Sequence, residues 1–351
     1  MDKGNTIISE HFIDDLNNVI GNQDSRNIFI LTDTNTQTLC LPTVLKSDKL
    51  KDCHLICIPS GDEHKNIESA VSIWKYLTEN GANRKSLLIN VGGGMITDIG
   101  GFAASTFKRG IRYINVSTSV LGAVDAATGG KTGINFQGLK NEIGVFAPAD
   151  KVIINIDFFK TLDADNIRSG YAEMVKHALI DTKVEWEETL QFNLENINLD
   201  LLKPLVRKSI SIKERIVEID PHEKNIRKAL NLGHTFGHAF ESMSYRVNKP
   251  VLHGYAVMWG LLCELYLSHV KLGFPKEEIL KLNKLINKFY GTFPITKNDY
   301  ESLLELMTHD KKNDSAEINF TLLSEIGEIK IDQTATKEEI FDCFDFFVSC
   351  K

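Results

Sequence analysis

Apolar positions in the first half of the chain fall in short, nearly unbroken runs rich in β-branched residues: NIFILTD (27–33), HLICIPSG (54–61), SLLINVGGG (86–94), YINVSTS (113–119) and KVIINID (151–157). Stretches of helical spacing separate them. Runs apolar at consecutive positions are strands covered on both faces, and their alternation with helices predicts βαβ units and a parallel sheet. From about Asn166 the spacing changes to a 3.6-residue period, in SGYAEMVKHALI, LLKPLVRKSISIKERIVEI, LHGYAVMWGLLCELYLSHV and KEEILKLNKLINKFYGT, which predicts helices. One β-like pair, EINFTLLSEIGEIKI (317–331), turns at Gly327. The pattern therefore predicts an α/β domain with a parallel sheet over residues 1–160 and a mostly α-helical domain over 161–351. No repeat or low-complexity linker separates them, so the two are expected to share an interface, a common place for ligand clefts.

Composition narrows the classes. The 351 residues, 42% hydrophobic, suffice for two packed domains. The longest apolar run, Val257 to Leu267, is interrupted by Trp259, Gly260 and Glu264 and falls short of the roughly 20 residues of a membrane span. The N-terminal MDKGNTIISEHFIDDL lacks the features of a signal peptide, so a cytoplasmic location is expected. A net charge of -7 argues against a nucleic-acid or membrane-surface partner and makes any basic site a local one. Six cysteines (Cys40, Cys53, Cys57, Cys263, Cys343 and Cys350) form no CxxC pair and suggest neither a disulfide framework nor a thiolate metal site.

Several segments carry candidate chemistry. VGGGMITDIGGFAASTFKRG (91–110) follows a predicted strand and opens a helix, where glycines and free N–H groups suit a phosphate. Asp33, at the end of the first clear strand, is placed either to accept hydrogen bonds from an adenosine ribose or simply to cap a turn. DAATGGKTGINFQGLKN (125–141) reads as a polar, flexible loop in which Lys131, Lys140 and Asn141 could grip a phosphate or carboxylate. Its GGKT is no P-loop, because Asp125 stands where the first glycine is required. Glu173 shares a helix face with Lys176 and His177, amid apolar and small neighbours that suggest a packed face. In NLGHTFGHAFE (231–241), His234 and His238 stand four apart, a spacing by which two imidazoles reach one metal; His253 and Glu173 are the other candidate ligands. Spacing alone leaves open which three of the four bind. Arg109, Lys131, Lys140, Lys176, Lys213, Arg227, Lys311 and Lys312 all lie in or beside these segments. In an acidic chain they suit a small substrate with several negative charges, such as a phosphorylated carboxylic acid.

Taken together, GGGMITDIGGFAASTFKRGIRYINV, VDAATGGKTGIN, LKNEIGVF, SGYAEMVKHALI, IRKALNLGHTFGHAFE, HGYAV and HDKKN resemble the 3-dehydroquinate synthases, in that family's order and over most of the chain. The resemblance implies a phosphate-eliminating cyclase, a carbon–oxygen lyase of the shikimate pathway. Its substrate would be 3-deoxy-D-arabino-heptulosonate 7-phosphate, processed by NAD-dependent oxidation, β-elimination, reduction and aldol closure. It also implies a homodimer and a metal, zinc or alternatively cobalt, between the domains. The rival readings are another sugar phosphate cyclase and a metal-dependent NAD polyol dehydrogenase.

By the same resemblance the metal ligands are Glu173, His234 and His253. His238 faces the substrate and helps move a proton, and Glu223 is the proton-accepting glutamate. NAD contacts fall on Asp33, Asp62, Lys65, Gly93, Gly94, Asp98, Thr118, Ser119, Lys140 and Thr161. Substrate contacts fall on Arg109, Asp125, Lys131, Asn141, Lys176, Lys213, Arg227, Asn231, Lys311 and Lys312, with Lys131 and Asn141 also counted as catalytic. Ser117, Ser119, Ala126, Ala127, Asp62 and Tyr255 depart from the commoner pattern. The serines imply a less rigid NAD loop, and Tyr255 leaves the support of His253 open.

Overall fold

The computed structural model describes residues 5–137, 139–309 and 318–350. The chain divides into two compact units, Met1–Asp163 and Ala164–Lys351, so the division falls after Asp163 rather than after residue 160.

In the first unit the strands are β1 (Thr6–Ile8), β2 (Ile28–Asp33), β3 (His54–Ile58), β4 (Leu87–Gly92), β5 (Arg112–Ser117), β6 (Lys131–Phe136), β7 (Leu139–Phe146) and β8 (Lys151–Ile154). Its helices are α1 (Phe12–Ile20), α2 (Thr34–Leu39), α3 (Leu41–Val44), α4 (Ile67–Glu79) and α5 (Gly94–Thr106). Six strands form one sheet in the order β1-β8-β5-β4-β2-β3, every neighbouring pair parallel. Every residue of β2 and β4 is buried, as continuous apolar runs require. Ile28, Ile30, Leu87, Ile89, Ile114, Val116 and Ile153 build the core on one face, against Phe12, Leu16 and Ile20 of α1.

After β2 the chain moves outward to β3; after β4 it moves the other way, to β5. The carboxyl ends of β2 and β4 therefore flank the point where strand order reverses, where open α/β sheets bind ligands. Asp33 ends β2, and Gly93 and Gly94 follow β4.

The described residues of the stretch expected as a flexible loop at 125–141 fall mostly into regular elements. A π-turn at Gly122–Ala126 leads into the antiparallel hairpin β6–β7, with Lys131 opposite Phe146 and Gly133 opposite Gly144. The close approach at that last pair explains the glycines: a Cβ on Gly133 would stand 2.7 Å from the Ile143 carbonyl oxygen. Gly133, placed for strand contact, falls in the stretch read as loop.

The second unit comprises α6 (Ala164–Leu179), α7 (Lys183–Leu190), α8 (Leu199–Ile219), α9 (His234–Arg246), α10 (His253–Leu272), α11 (Lys276–Phe289), α12 (Tyr300–His309) and α13 (Lys337–Ser349). The antiparallel pair β9 (Asn319–Glu325) and β10 (Glu328–Thr334) turns through Gly327, whose φ is 82°. Helix α10 is the axis of this unit, packed against α6, α9, α11, α13 and β9. Its crossings with α6 and α9 are made at glycines: a Cβ on Gly254 would overlap the Ser169 carbonyl, and one on Gly260 would overlap that of Gly233. Among the described residues, no helix is long and apolar enough to cross a membrane.

Candidate active site

In the second unit, three helices bring one side chain each to a common point. Glu173 from α6 is fully buried; His234 opens α9 and His253 opens α10. His234 Nε2 lies 3.5 Å and His253 Nε2 lies 3.4 Å from the same Glu173 oxygen, Oε1. The potential ligand atoms of the three residues lie within 4.8 Å of one another. Each ring is held from behind: His234 Nδ1 lies 3.1 Å from the Leu232 carbonyl oxygen, and His253 Nδ1 lies 3.1 Å from Glu241 Oε2. Both Nε2 atoms are thereby turned inward, the arrangement by which histidines present a lone pair to a metal. Both Glu173 oxygens are buried: Oε2 pairs with the Lys176 ammonium, and Oε1 faces the two imidazoles without a well-formed hydrogen bond. Two imidazole nitrogens and a carboxylate oxygen converging on one point are the donors a divalent metal such as zinc takes, so the donor set fits such an ion.

The electrostatics agree in direction. Burial pushes the Glu173 carboxyl upward, but the Lys176 ammonium on the next turn, with His234 and His253, outweighs it and holds the group well below the usual carboxylate range. Burial and Lys176 push the His234 imidazole down to about 3. Burial also disfavours charge on His253, but Glu241 and Glu173 outweigh it and raise the ring to about 10. His238 completes an imidazole cluster, its ring centroid 5.2 Å from that of His234 and 6.0 Å from that of His253.

In the same unit, the residues after α8 carry Glu223 and Arg227. Glu223 has a φ of 57°, and its Oε1 accepts a 2.8 Å hydrogen bond from Asn231 Nδ2. Arg227 is 2% exposed, and its guanidinium donates to the Pro221 carbonyl at 2.6 Å. The Asp220 carboxylate organises the turn by accepting from the backbone N–H groups of Lys224, Asn225 and Arg227. Lys176 and Lys213 are buried as well, at 1% and 6% exposure. Long cationic side chains are seldom so buried without a role in binding charge.

In the first unit, Gly93 precedes α5 without a side-chain cap, which leaves that helix's first N–H groups to other acceptors. A Cβ on Gly93 would stand 2.8 Å from Ser119 Oγ. The two serines of this loop bond within it: Ser119 Oγ accepts from Gly122 N at 3.0 Å, and Ser117 Oγ donates to the Ser119 carbonyl at 3.3 Å. Asp33 caps α2, its Oδ1 accepting from Asn35 N and Thr36 N at 2.8 and 2.9 Å. Cys40 is a shared neighbour of Asp33, Thr118 and Thr161; burial raises its thiol above the usual range.

A second network joins residues assigned separately from sequence. Lys65 Nζ donates to Asp98 Oδ2 and Asn141 Oδ1, each at 2.5 Å. Asp62 pairs with Lys140 and accepts from Asn135 Nδ2 at 2.9 Å. Arg109 and Asn141 have positive φ, 70° and 52°. With Glu223, three candidate site residues thus hold a backbone conformation that costs energy for a non-glycine, as functional positions often do. Lys131 begins β6 and Asp125 lies within the π-turn. Lys311 and Lys312 lie outside the described residues.

Reading for chemistry along the sequence passed over Glu241, Glu264, Asp220 and Asn135. Glu264 had a signal, a lone carboxylate in an apolar helix that must find partners. Tyr255 does not support His253: its hydroxyl donates to Asp165 at 2.8 Å, and Glu241 takes the imidazole instead.

An open parallel sheet with a helix N-terminus that lacks a side-chain cap at its switch point, followed by a helical unit with a two-histidine, one-carboxylate cluster, defines a class of nucleotide-dependent metalloenzymes. Within that class the match is specific. Residues 55–169 match the 3-dehydroquinate synthase N-terminal family and residues 170–313 the 3-dehydroquinate synthase C-terminal family. The chain is 48% identical over 347 residues to a 3-dehydroquinate synthase of Parabacteroides distasonis, covering 99% of this chain and 98% of the relative. It is 39% identical over 306 residues to that of Thermococcus kodakarensis, covering 87% and 85%. The chain belongs to the 3-dehydroquinate synthase family.

Solved structures share the fold. A 2-deoxy-scyllo-inosose synthase complexed with carbaglucose-6-phosphate, NAD+ and Co2+ superposes with a TM-score of 0.85 at 23% identity, over 96% of this chain and 95% of the other. A 2-epi-5-epi-valiolone synthase from Streptomyces hygroscopicus with NAD+ and Zn2+ bound gives 0.83 at 20%, over 99% and 97%.

Proposed function

We propose that this chain is a lyase that converts 3-deoxy-D-arabino-heptulosonate 7-phosphate to 3-dehydroquinate and phosphate with NAD and a divalent metal, normally zinc, as a cytoplasmic homodimer. The observation that carries this reading is the convergence of His234 Nε2 and His253 Nε2 on Glu173 Oε1. In this reading Glu173, His234 and His253 hold the metal. NAD occupies the switch point, at Asp33, Gly93, Gly94, Thr118, Ser119 and Thr161, with Asp62, Lys65, Asp98 and Lys140 beside it. When bound, the metal polarises substrate hydroxyls and NAD accepts and returns a hydride, so the cofactor is not consumed.

The rest falls to the chain's own residues. The substrate is a carboxylate at one end and a phosphate at the other. Arg109, Lys131, Lys176, Lys213 and Arg227 supply cations in or beside the site segments, and Lys311 and Lys312 are assigned to the same task. Elimination leaves negative charge on the departing phosphate, which fixed cations stabilise without reorganising. Glu223, oriented by Asn231, accepts a proton, and His238 moves one at the substrate. Asn141 and Asp125 orient substrate hydroxyls. Ring closure then needs little beyond orientation.

The test is phosphate release from the heptulosonate phosphate by purified protein with NAD and zinc, with absorbance at the NADH band followed in parallel. Phosphate and dehydroquinate without net NADH are expected. Net NADH without phosphate would replace this reading with a polyol dehydrogenase, and neither product would direct the search to other sugar phosphates.

A further inference from the structure

Glu264 lies in the middle of α10, fully buried in an otherwise apolar stretch. A carboxylate there needs donors, and they come from another helix. Oε2 accepts from Gly233 N at 2.6 Å, and Oε1 from Thr235 N at 3.0 Å and Phe236 N at 3.4 Å. These are N–H groups at the start of α9, which has no side-chain cap of its own because Gly233, at a φ of 81°, precedes it. The cap is therefore supplied from α10, and it grips the backbone on both sides of His234.

The two helices run antiparallel. Gly233 and Gly237 of one segment approach Gly260 of α10, while Glu241, further along α9, meets His253 at the start of α10. Glu264 follows His253 by eleven positions, about three helical turns, so both face α9. Each helix thus sends one carboxylate to the N-terminal end of the other, and glycines between them remove the side chains that would absorb a slip.

We infer that Glu264 is a positioning residue for the metal ligands: by capping α9 from α10, it sets where His234 stands relative to His253. The inference rests on the reading of Glu173, His234 and His253 as a metal site. Without the cap, three donors are orphaned and the first turn of α9 can shift; the two imidazoles then lose their fixed separation.

The experiment measures the zinc dissociation constant by chelator competition, and the absorption spectrum of the cobalt(II)-loaded protein, for wild type, Glu264→Gln, Glu264→Asp, Leu267→Ala and His253→Ala. Glu264→Gln keeps the shape and one acceptor. It is expected to weaken zinc binding about tenfold, at the lower end of the effect of outer partners, and to alter the cobalt bands. Glu264→Asp withdraws the carboxylate by one methylene and should change both in the same direction. Leu267→Ala, a buried apolar truncation on the same helix, should lower the melting temperature and leave both unchanged. A folded Glu264→Gln or Glu264→Asp protein with wild-type affinity and spectrum would overturn the inference. Failure of the underlying reading looks different: His253→Ala would then bind zinc as tightly as wild type.

Discussion

His253 Nδ1 stands 3.1 Å from Glu241 Oε2, while its Nε2 stands 3.4 Å from Glu173 Oε1, so one imidazole bridges two buried carboxylates. Glu173 Oε1 also lies 3.5 Å from His234 Nε2. Glu241 therefore orients the ring and raises its basicity, and in the proposed reading Glu173 is the carboxylate that holds the metal with it. Glu241→Ala is expected to fold and to bind zinc roughly 10- to 100-fold more weakly, with Glu241→Gln in between. Chelator competition measures it, and unchanged affinity in both variants would remove Glu241 from the site.

The two histidines of α9 are expected to fail differently. His253→Ala and His234→Ala should lose zinc and activity together while keeping wild-type circular dichroism. His238→Ala should keep one zinc per chain and lose rate by about two to four orders of magnitude, the range of a lost proton-transfer group. Metal analysis beside turnover separates them; a metal-free His238→Ala protein would contradict the division of roles.

Asp220 touches no substrate in this reading, yet three backbone N–H groups between Glu223 and Arg227 or beside them end on its carboxylate. These bonds outweigh the effect of desolvation and hold the Asp220 carboxyl below its ordinary range. Asp220→Ala frees the turn that keeps Glu223 at positive φ. A loss of about a hundredfold in kcat is expected, the cost of a small misplacement of a reacting group, with zinc content unchanged. Equal losses of zinc and rate would point to general unfolding instead.

What the sequence revealed and concealed follows from the range of the interactions. Strands β2, β4, β5 and β8 were legible because burial on both faces writes an unbroken apolar run. The helices α6, α8, α10 and α11 were legible from their period. The hairpin β6–β7 was hidden because Gly133 and Gly144 serve a contact eleven residues apart that no local pattern reports. The three-residue β1 is too short to leave a period. At the site, residue types were readable, since carboxylates, imidazoles and lysines amid apolar neighbours need partners. Which ones meet was not. Glu264 reaches Gly233 across 31 positions, and Lys65 reaches Asn141 across 76. Such pairings are products of the assembled fold.

Glu278 supplies a test of stability apart from the site. It is 2% exposed on α11, accepts from Trp186 Nε1 at 2.6 Å, and is paired with Lys183 and Lys281. Burial pushes its carboxyl up, but Lys183, Trp186 and Lys281 outweigh burial and hold it below its ordinary value. A depressed folded-state value means that the unfolded chain binds the proton more readily. The stabilisation is therefore complete above the unfolded value of about 4.3 and fades as pH falls through the lower folded one. Glu278→Gln keeps an acceptor for Trp186 and loses the charge, so it should be less stable than wild type at pH 7 by about 1–2 kcal/mol. That gap should narrow as pH falls through about 4.3, where the unfolded wild-type chain takes up the proton ahead of the folded one. Urea unfolding of both proteins at pH 7 and at several acid pH values measures it. A gap that stays constant into acid would mean that the charge on Glu278 contributes nothing and that the variant is weakened by packing alone.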